Sequence, residues 1–243
     1  MKNFLGKIYK YRRFTILLYF PIYMIWFLWL EKRDTEYAYM YCKLDDYIPF
    51  NEYFIIPYML WFVFIVISLL LMGLNPTRFK IYKKEYPLYN YFRSQDEKDF
   101  DRCVISLMLG MTICLIIYTI FPNAQALRPD ELSYNNIFVK AVAKLYMGDT
   151  STNVCPSIHT YNSIVVTYAL WTSKSTNNGG VRVENVIKFI SLLLCIMICL
   201  STMFLKQHSA VDVFFAIVLW IIIYFIVYFP SRLSEWKSKK SNN

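Results

Sequence analysis

The sequence predicts an all-α polytopic membrane protein: a bundle of six transmembrane helices with both termini cytoplasmic. Three observations predict it. Hydrophobic residues make up 57% and aromatics 19% of the 243 residues. The apolar residues gather into runs close to the roughly 20 residues that cross a bilayer as a helix. The 26 Lys and Arg fall mainly in the connections between those runs, and they fall unevenly. In a soluble chain the net charge of +9 would point to nucleic acid. Between spans, the same charges serve orientation and contact with anionic headgroups, so the bilayer and not nucleic acid is the expected partner. One membrane-embedded domain over residues 1–243 accounts for the length.

The elements follow in order. The first span is residues 14–30, preceded by five basic residues. It ends in Glu31-Lys32-Arg33-Asp34 with no small-residue cleavage site, so it reads as a retained span and not a secretion signal. Residues 31–52 form a polar, mostly acidic, Tyr-rich connection suited to the membrane interface. The second span is 53–73, closed by Gly73 and Pro76. Connection 74–102 is strongly basic, and its apolar and aromatic residues fit either a surface-lying helix or a solvated loop. The third span, 103–121, ends at Pro122. Connection 122–155 carries Arg128-Pro129 and an amphipathic stretch, 137–146. The fourth span, 157–172, contains Ser157, His159, Thr160, Asn162, Ser163 and Thr167. A helix this polar belongs inside the bundle, because lipid satisfies none of those groups. Residues 173–182 are a turn. The fifth and sixth spans are 183–205 and 209–229, followed by a basic tail.

Orientation follows from the basic residues. The amino terminus carries five, connection 74–102 seven, the 173–182 turn two and the tail four. The opposite side carries seven: Lys32, Arg33, Lys43, Arg128, Lys140, Lys144 and Lys206. The richer side is cytoplasmic. Arg128, His159 and His208 then open together on the outer face.

Those residues carry the chemistry. There are only two histidines. His208 is followed four positions later by Asp212, the one acid in the apolar runs 186–205 and 209–229 around it. On a helix this spacing puts both on one face. The carboxylate can then hold one ring nitrogen and leave the other free, as an orienter does for a base or nucleophile. A helix-start Asp at the membrane surface is the plainer alternative. His159 lies one turn into a helix that Pro156 and Ser157 begin, and a helix start offers free N–H groups to a phosphate. Arg128 adds a guanidinium that matches phosphate oxygens. Together these suit phosphoryl transfer, with one histidine as nucleophile and the other as acid. The six cysteines show no CxxC spacing, and four of them (Cys103, Cys114, Cys195 and Cys199) lie in apolar runs. No His or acid cluster has metal-ligand spacing, so neither metal nor cofactor is expected. Cys42 and Cys155 fall on the same side. Two free thiols are the expectation, with a bridge as the alternative.

The chain resembles the type 2 phosphatidic acid phosphatase superfamily. That family's pattern is Lys-x6-Arg-Pro, then Pro-Ser-Gly-His, then Ser-Arg-x5-His-x3-Asp. Here Arg128-Pro129 matches the end of the first block. Pro156-Ser157-Ile158-His159 matches the second except at Gly, and Ser201-Thr202, His208 and Asp212 match the third except at Arg. The resemblance implies that His208 forms a phosphohistidine, Asp212 orients it and His159 protonates the leaving group. It implies that Arg128 and the backbone around Ser157 bind phosphate, with Ser201 and Thr202 of the third block as further phosphate-binding candidates. Phe121 and Thr202 stand where the family has Lys and Arg. Lys206, beside His208, is the expected replacement for one of these cations, with Lys140 and Lys144 as weaker candidates and an interfacial anchor as the alternative role of Lys206. The Ser-Thr and Leu-Lys-Gln-His sequences are similar to the branch with inositol-phosphoceramide synthases and related bacterial proteins. That similarity implies a bacterial-type plasma membrane.

Three functions remain open on the sequence. The first is a lipid phosphatase acting on a lipid phosphate or diphosphate at the outer leaflet. The second is a phospholipid headgroup phosphotransferase using the same residues. The third is a non-catalytic relative that kept the fold. The lipid itself and the oligomeric state are not written in the sequence.

Overall fold

A computed structural model describes residues 15–73, 97–132, 136–173, 181–230 and 233. The chain is mostly helical. In order it forms α1 (Thr15–Glu31), β1 (Ala38–Tyr39), α2 (Leu44–Tyr47), a 3-10 turn (Glu52–Phe54), α3 (Ile55–Gly73) and α4 (Glu97–Ile120). Then come β2 (Asn123–Ala124), α5 (Ile137–Gly148), α6 (Ile158–Thr172), α7 (Val181–Phe204) and α8 (Ala210–Val227). Four stretches are long and apolar enough to cross a membrane: Glu52–Gly73, Lys98–Ile120, Val183–Phe204 and Ala210–Val227. A shorter apolar helix covers Leu18–Glu31. The segment expected as a surface helix falls mostly at 74–96, outside the described residues, while 97–102 joins α4. Most of the 173–182 turn, residues 1–14 and nearly all of the basic tail also lie outside them.

The polar helix α6 is the centre of the bundle. It packs against α3, α4, α7 and α8. Thr160, Tyr161, Asn162, Ser163, Val165 and Val166 are all buried. Three of its polar side chains find carbonyl partners within the bundle, as a low-dielectric interior favours, while Thr160 Oγ1 and Asn162 Oδ1 are buried without a hydrogen bond. The Tyr161 hydroxyl donates to the Ser106 carbonyl of α4 at 2.7 Å. Thr167 Oγ1 donates to the Ser191 carbonyl of α7 at 3.2 Å. Ser163 Oγ returns to the His159 carbonyl of its own helix at 2.7 Å. The outward faces are the reverse. Ile22, Ile25, Val66, Leu70, Phe189, Ile221 and Phe225 are all exposed. Apolar surface on this scale suits lipid and not water.

Helix α1 docks on α4 through polar contacts at both levels. Tyr19 donates to the Met108 carbonyl at 3.1 Å and Trp26 Nε1 to Thr119 Oγ1 at 3.1 Å. Arg33, just past α1, donates to the Tyr118 and Thr119 carbonyls at 2.7 and 2.9 Å. Its charge there complements the negative end of the α4 dipole and satisfies carbonyls that a helix end leaves free.

The loops at this end are built, not loose. β1 and β2 pair in parallel, Ala38 with Asn123 and Tyr39 with Ala124. Ala124 also bridges to Thr152. The amphipathic stretch expected at 137–146 is helix α5, capped by the Asn136 side chain on the Val139 amide. The 31–52 connection reaches across to the start of α8. Buried Asp45 accepts from Ser209 Oγ at 2.5 Å, from the Ala210 amide at 2.8 Å and from the Cys42 amide at 2.8 Å.

Two substitutions test this packing. An added Cβ at Gly110 of α4 would overlap the Tyr161 ring. Gly110→Ala should therefore lower thermal stability by about 1–3 kcal/mol, the usual cost of overpacking a core. Asp45→Ala leaves Ser209 Oγ and the Ala210 amide without their acceptor. It should cost about 1–3 kcal/mol, read as an earlier melt in detergent.

Candidate phosphoryl-transfer site

The starts of α6 and α8 lie side by side. The Ser157 amide donates to the Asp212 carbonyl at 3.1 Å. Ser157 is the N-cap of α6 and its Oγ accepts from the Thr160 amide at 3.3 Å. Ser209 is the N-cap of α8 and forms a capping box with Asp212. One oxygen of Asp212, Oδ2, has two duties: it accepts from the Ser209 amide at 2.9 Å and faces His208 Nδ1 at 3.3 Å. An ionised Asp212 only accepts, and the tautomer that matches it has the proton on Nδ1 and leaves Nε2 free. One atom thus both caps the helix start and faces the His208 ring. Asp212 is fully buried.

The loop before Ser157 hangs on Asn123, which is also fully buried. Its Oδ1 accepts from the Val154 and Cys155 amides, each at 2.8 Å. Its Nδ2 donates to the Phe121 carbonyl at 2.9 Å and the Cys155 carbonyl at 3.1 Å. The Tyr118 hydroxyl holds the Pro156 carbonyl at 2.5 Å. Cys42 and Cys155 are free thiols. Burial raises the Cys155 thiol above its ordinary range, and the Asp212 carboxylate adds to the shift.

The two histidines meet. Their ring centroids are 5.7 Å apart at 61°. His159 lies against two aromatic side chains of α3, Trp61 at 4.5 Å and Tyr58 at 4.8 Å between ring centroids. The Tyr58 hydroxyl donates to Asp149 Oδ2 at 3.0 Å. Burial raises the Asp149 carboxyl above the usual range, while the Tyr58 hydroxyl, His208 and Arg128 pull it back.

Arg128 is brought to the same place. Its ring partner is Tyr146, 4.3 Å from the guanidinium carbon to the ring centroid. Nη2 donates to the Asp149 carbonyl at 2.8 Å, the Thr150 carbonyl at 2.9 Å and Gln207 Oε1 at 2.6 Å. Burial lowers its pKa, and Asp149 opposes that most.

Other expected residues are used elsewhere. Lys206 does not supply a cation to this pocket. Its backbone is left-handed, at φ 52. The Gln207 amide bonds the Thr202 carbonyl at 2.9 Å and the Lys206 amide the Met203 carbonyl at 3.0 Å, the two bonds of a Schellman turn. That turn sends the Lys206 ammonium to the Asp45 carbonyl at 2.9 Å and the Ile48 carbonyl at 2.5 Å. Ser201 and Thr202 are buried, and their hydroxyls bond the Ile198 and Cys199 carbonyls of their own helix at 2.7 and 2.8 Å. Lys140 and Lys144 are exposed on α5. Phe121 faces an apolar cavity of about 460 Å³, shared with Ile117, Pro156, Val211 and Phe215. A lysine there would have an apolar wall around it.

Asp45, Asn123, Tyr58, Asp149 and Gln207 were not singled out from the sequence. Only Gln207 carried a local signal, its place next to His208. The others act across 31–165 residues, from Asn123 on Val154 to Asp45 on Ala210.

No curated protein and no solved structure matches the chain. Residues 103–235, more than half of the chain and all of the site apart from what the first third contributes, match the PAP2 superfamily. That superfamily comprises phosphatases and phosphotransferases. With the histidines, Asp212 and Arg128 all inside the matched region, the chain belongs to the PAP2 superfamily.

Proposed function

We propose that the chain is an integral membrane lipid phosphatase that works through a phosphohistidine on its outer face. Six spans with cytoplasmic termini remain our topology, from the uneven basic residues. The single observation that carries the chemistry is the pairing of His159 and His208 at 5.7 Å, with Asp212 on the far nitrogen of His208. His208 Nε2 attacks phosphorus as the bond to the lipid oxygen breaks. His159 gives that oxygen its proton. His159 then takes a proton from water, whose oxygen attacks phosphorus and breaks the phosphorus–nitrogen bond, releasing phosphate and His208. Asp212 stabilises the positive imidazole in the first step. Arg128 and the amides that start α6 hold the phosphate oxygens. Lipid phosphates and diphosphates are the substrates this chemistry fits.

A second reading is favoured by one observation: the site has few cations, with Thr202 bonded within its helix and Lys206 tied to Asp45 and Ile48. A headgroup phosphotransferase would use the same residues with a lipid alcohol in place of water.

Phosphate release from a panel of lipid phosphates in detergent tests these readings. Wild-type protein should release phosphate without added acceptor, and product only in the presence of a lipid alcohol would instead establish the transferase. His208→Ala should lose at least about 10³-fold, and His159→Ala about 10²–10⁴-fold. Asp212→Asn keeps an acceptor for the Ser209 amide, so it should fold yet lose on the order of 10²-fold or more in turnover. Full activity in His208→Ala would end the proposal.

A further inference from the structure

Gln207 enters the site by geometry. Its side chain is 2% exposed. Its Oε1 accepts from Arg128 Nη2 at 2.6 Å. Its Nε2 is buried and makes no hydrogen bond, and Arg128 Nε is in the same condition. Buried donors without partners are rare in native structures, and each calls for an explanation. Here two of them sit on side chains bonded to each other, one residue from the nucleophile. An anion's oxygen is an acceptor that such donors fit.

Charge decides which anion. Lys206 is tied to backbone carbonyls, and Lys140 and Lys144 are exposed on α5. Among the described residues, Arg128 is the cation bonded to Gln207. The titratable groups around the pair are Tyr58 from α3, Tyr146 and Asp149 from the end of α5, Glu31 from the end of α1, His159 from α6, and His208 with Asp212 behind it. The acids among them subtract from the charge of Arg128. Arg128 is the permanent cation of this seat, and the proton of His159 leaves with the lipid oxygen, so the seat itself balances one anionic charge.

We infer that Gln207 is a phosphate-contacting residue in the place of a motif cation, and that the Gln207–Arg128 seat selects a singly charged phosphate ester. The inference rests on the phosphoryl-transfer reading above. Two esters share that charge: a phosphodiester, and a phosphomonoester that keeps one proton.

Full-length protein in detergent tests it with two lipids of identical chains, phosphatidate as the monoester and phosphatidylglycerol as the diester. A monoester loses its second proton near about pH 6, whereas a diester keeps one charge throughout. Above that pH, kcat/KM for phosphatidate should fall about tenfold per unit relative to the diester. The diester also controls for titration of His159 and His208. Diester turnover assigns that source, and phosphatidate turnover confined to the acid side assigns the protonated monoester. Gln207→Lys supplies a second cation and should move the fall of phosphatidate turnover to higher pH. Gln207→Leu should lower kcat/KM for every ester turned over by about tenfold, the loss of one hydrogen bond to a charged group. A structural role alone would leave the pH profile of Gln207→Lys unmoved. Phosphatidate turnover that runs level through its second titration, or wild-type rates in Gln207→Leu, would overturn the inference while leaving the phosphohistidine reading intact. No His208-dependent turnover of either lipid would overturn both.

Discussion

The hydrogen bond from the Ser157 amide to the Asp212 carbonyl joins the starts of two helices. Everything else in the site depends on that joint. Helix α6 brings His159 and α8 brings Asp212, while His208 stands just ahead of α8. Each start has its own cap, and each cap is held from a distant part of the chain. Asn123 fixes the backbone that leads into Ser157. Asp45 fixes Ser209 and Ala210. Two buried side chains, from the connections before α3 and after α4, therefore set the separation of the histidines. A shift of either helix start would move one imidazole relative to the other, and nucleophilic chemistry tolerates little of that.

Much of this was legible in the sequence, for physical reasons. Apolar runs show where helices form, because backbone polar groups in lipid need internal partners. The polar residues of 158–172 foretold a central helix, since nothing outside the bundle could satisfy them. The His208–Asp212 spacing pointed to their contact, but its cause is the helix cap: His208 precedes the N-cap Ser209, and the Asp212 carboxylate that caps α8 reaches back to it. Contacts between distant segments have no such period. Asp45 is an ordinary acid in an acidic connection, and Asn123 an ordinary loop asparagine, until the fold brings backbone amides to them. Of the two roles open to Lys206, the anchoring one is what the fold displays, for a related reason. Proximity in sequence to His208 implied proximity in space, but the left-handed turn at Lys206 directs its side chain to the 45–48 carbonyls.

Lys206 also shows how one charge can be reassigned without a change in fold. Its ammonium now ties the turn before α8 to the end of α2, the segment that also supplies the Asp45 carboxylate. A cation two residues from His208 instead ties the scaffold together. Asp149 and Tyr58 reach the pocket from the other side, so the electrostatics rest on Arg128 set among carboxylates and neutral donors.

The length of α6 has a consequence for access. Its 15 residues rise about 22 Å at 1.5 Å per residue, whereas hydrocarbon is about 30 Å thick. The four helices packed around it are the four, among the described residues, long enough to cross a membrane. The bundle therefore reaches both faces through those neighbours, and the end of α6 that carries His159 is walled by helices longer than itself.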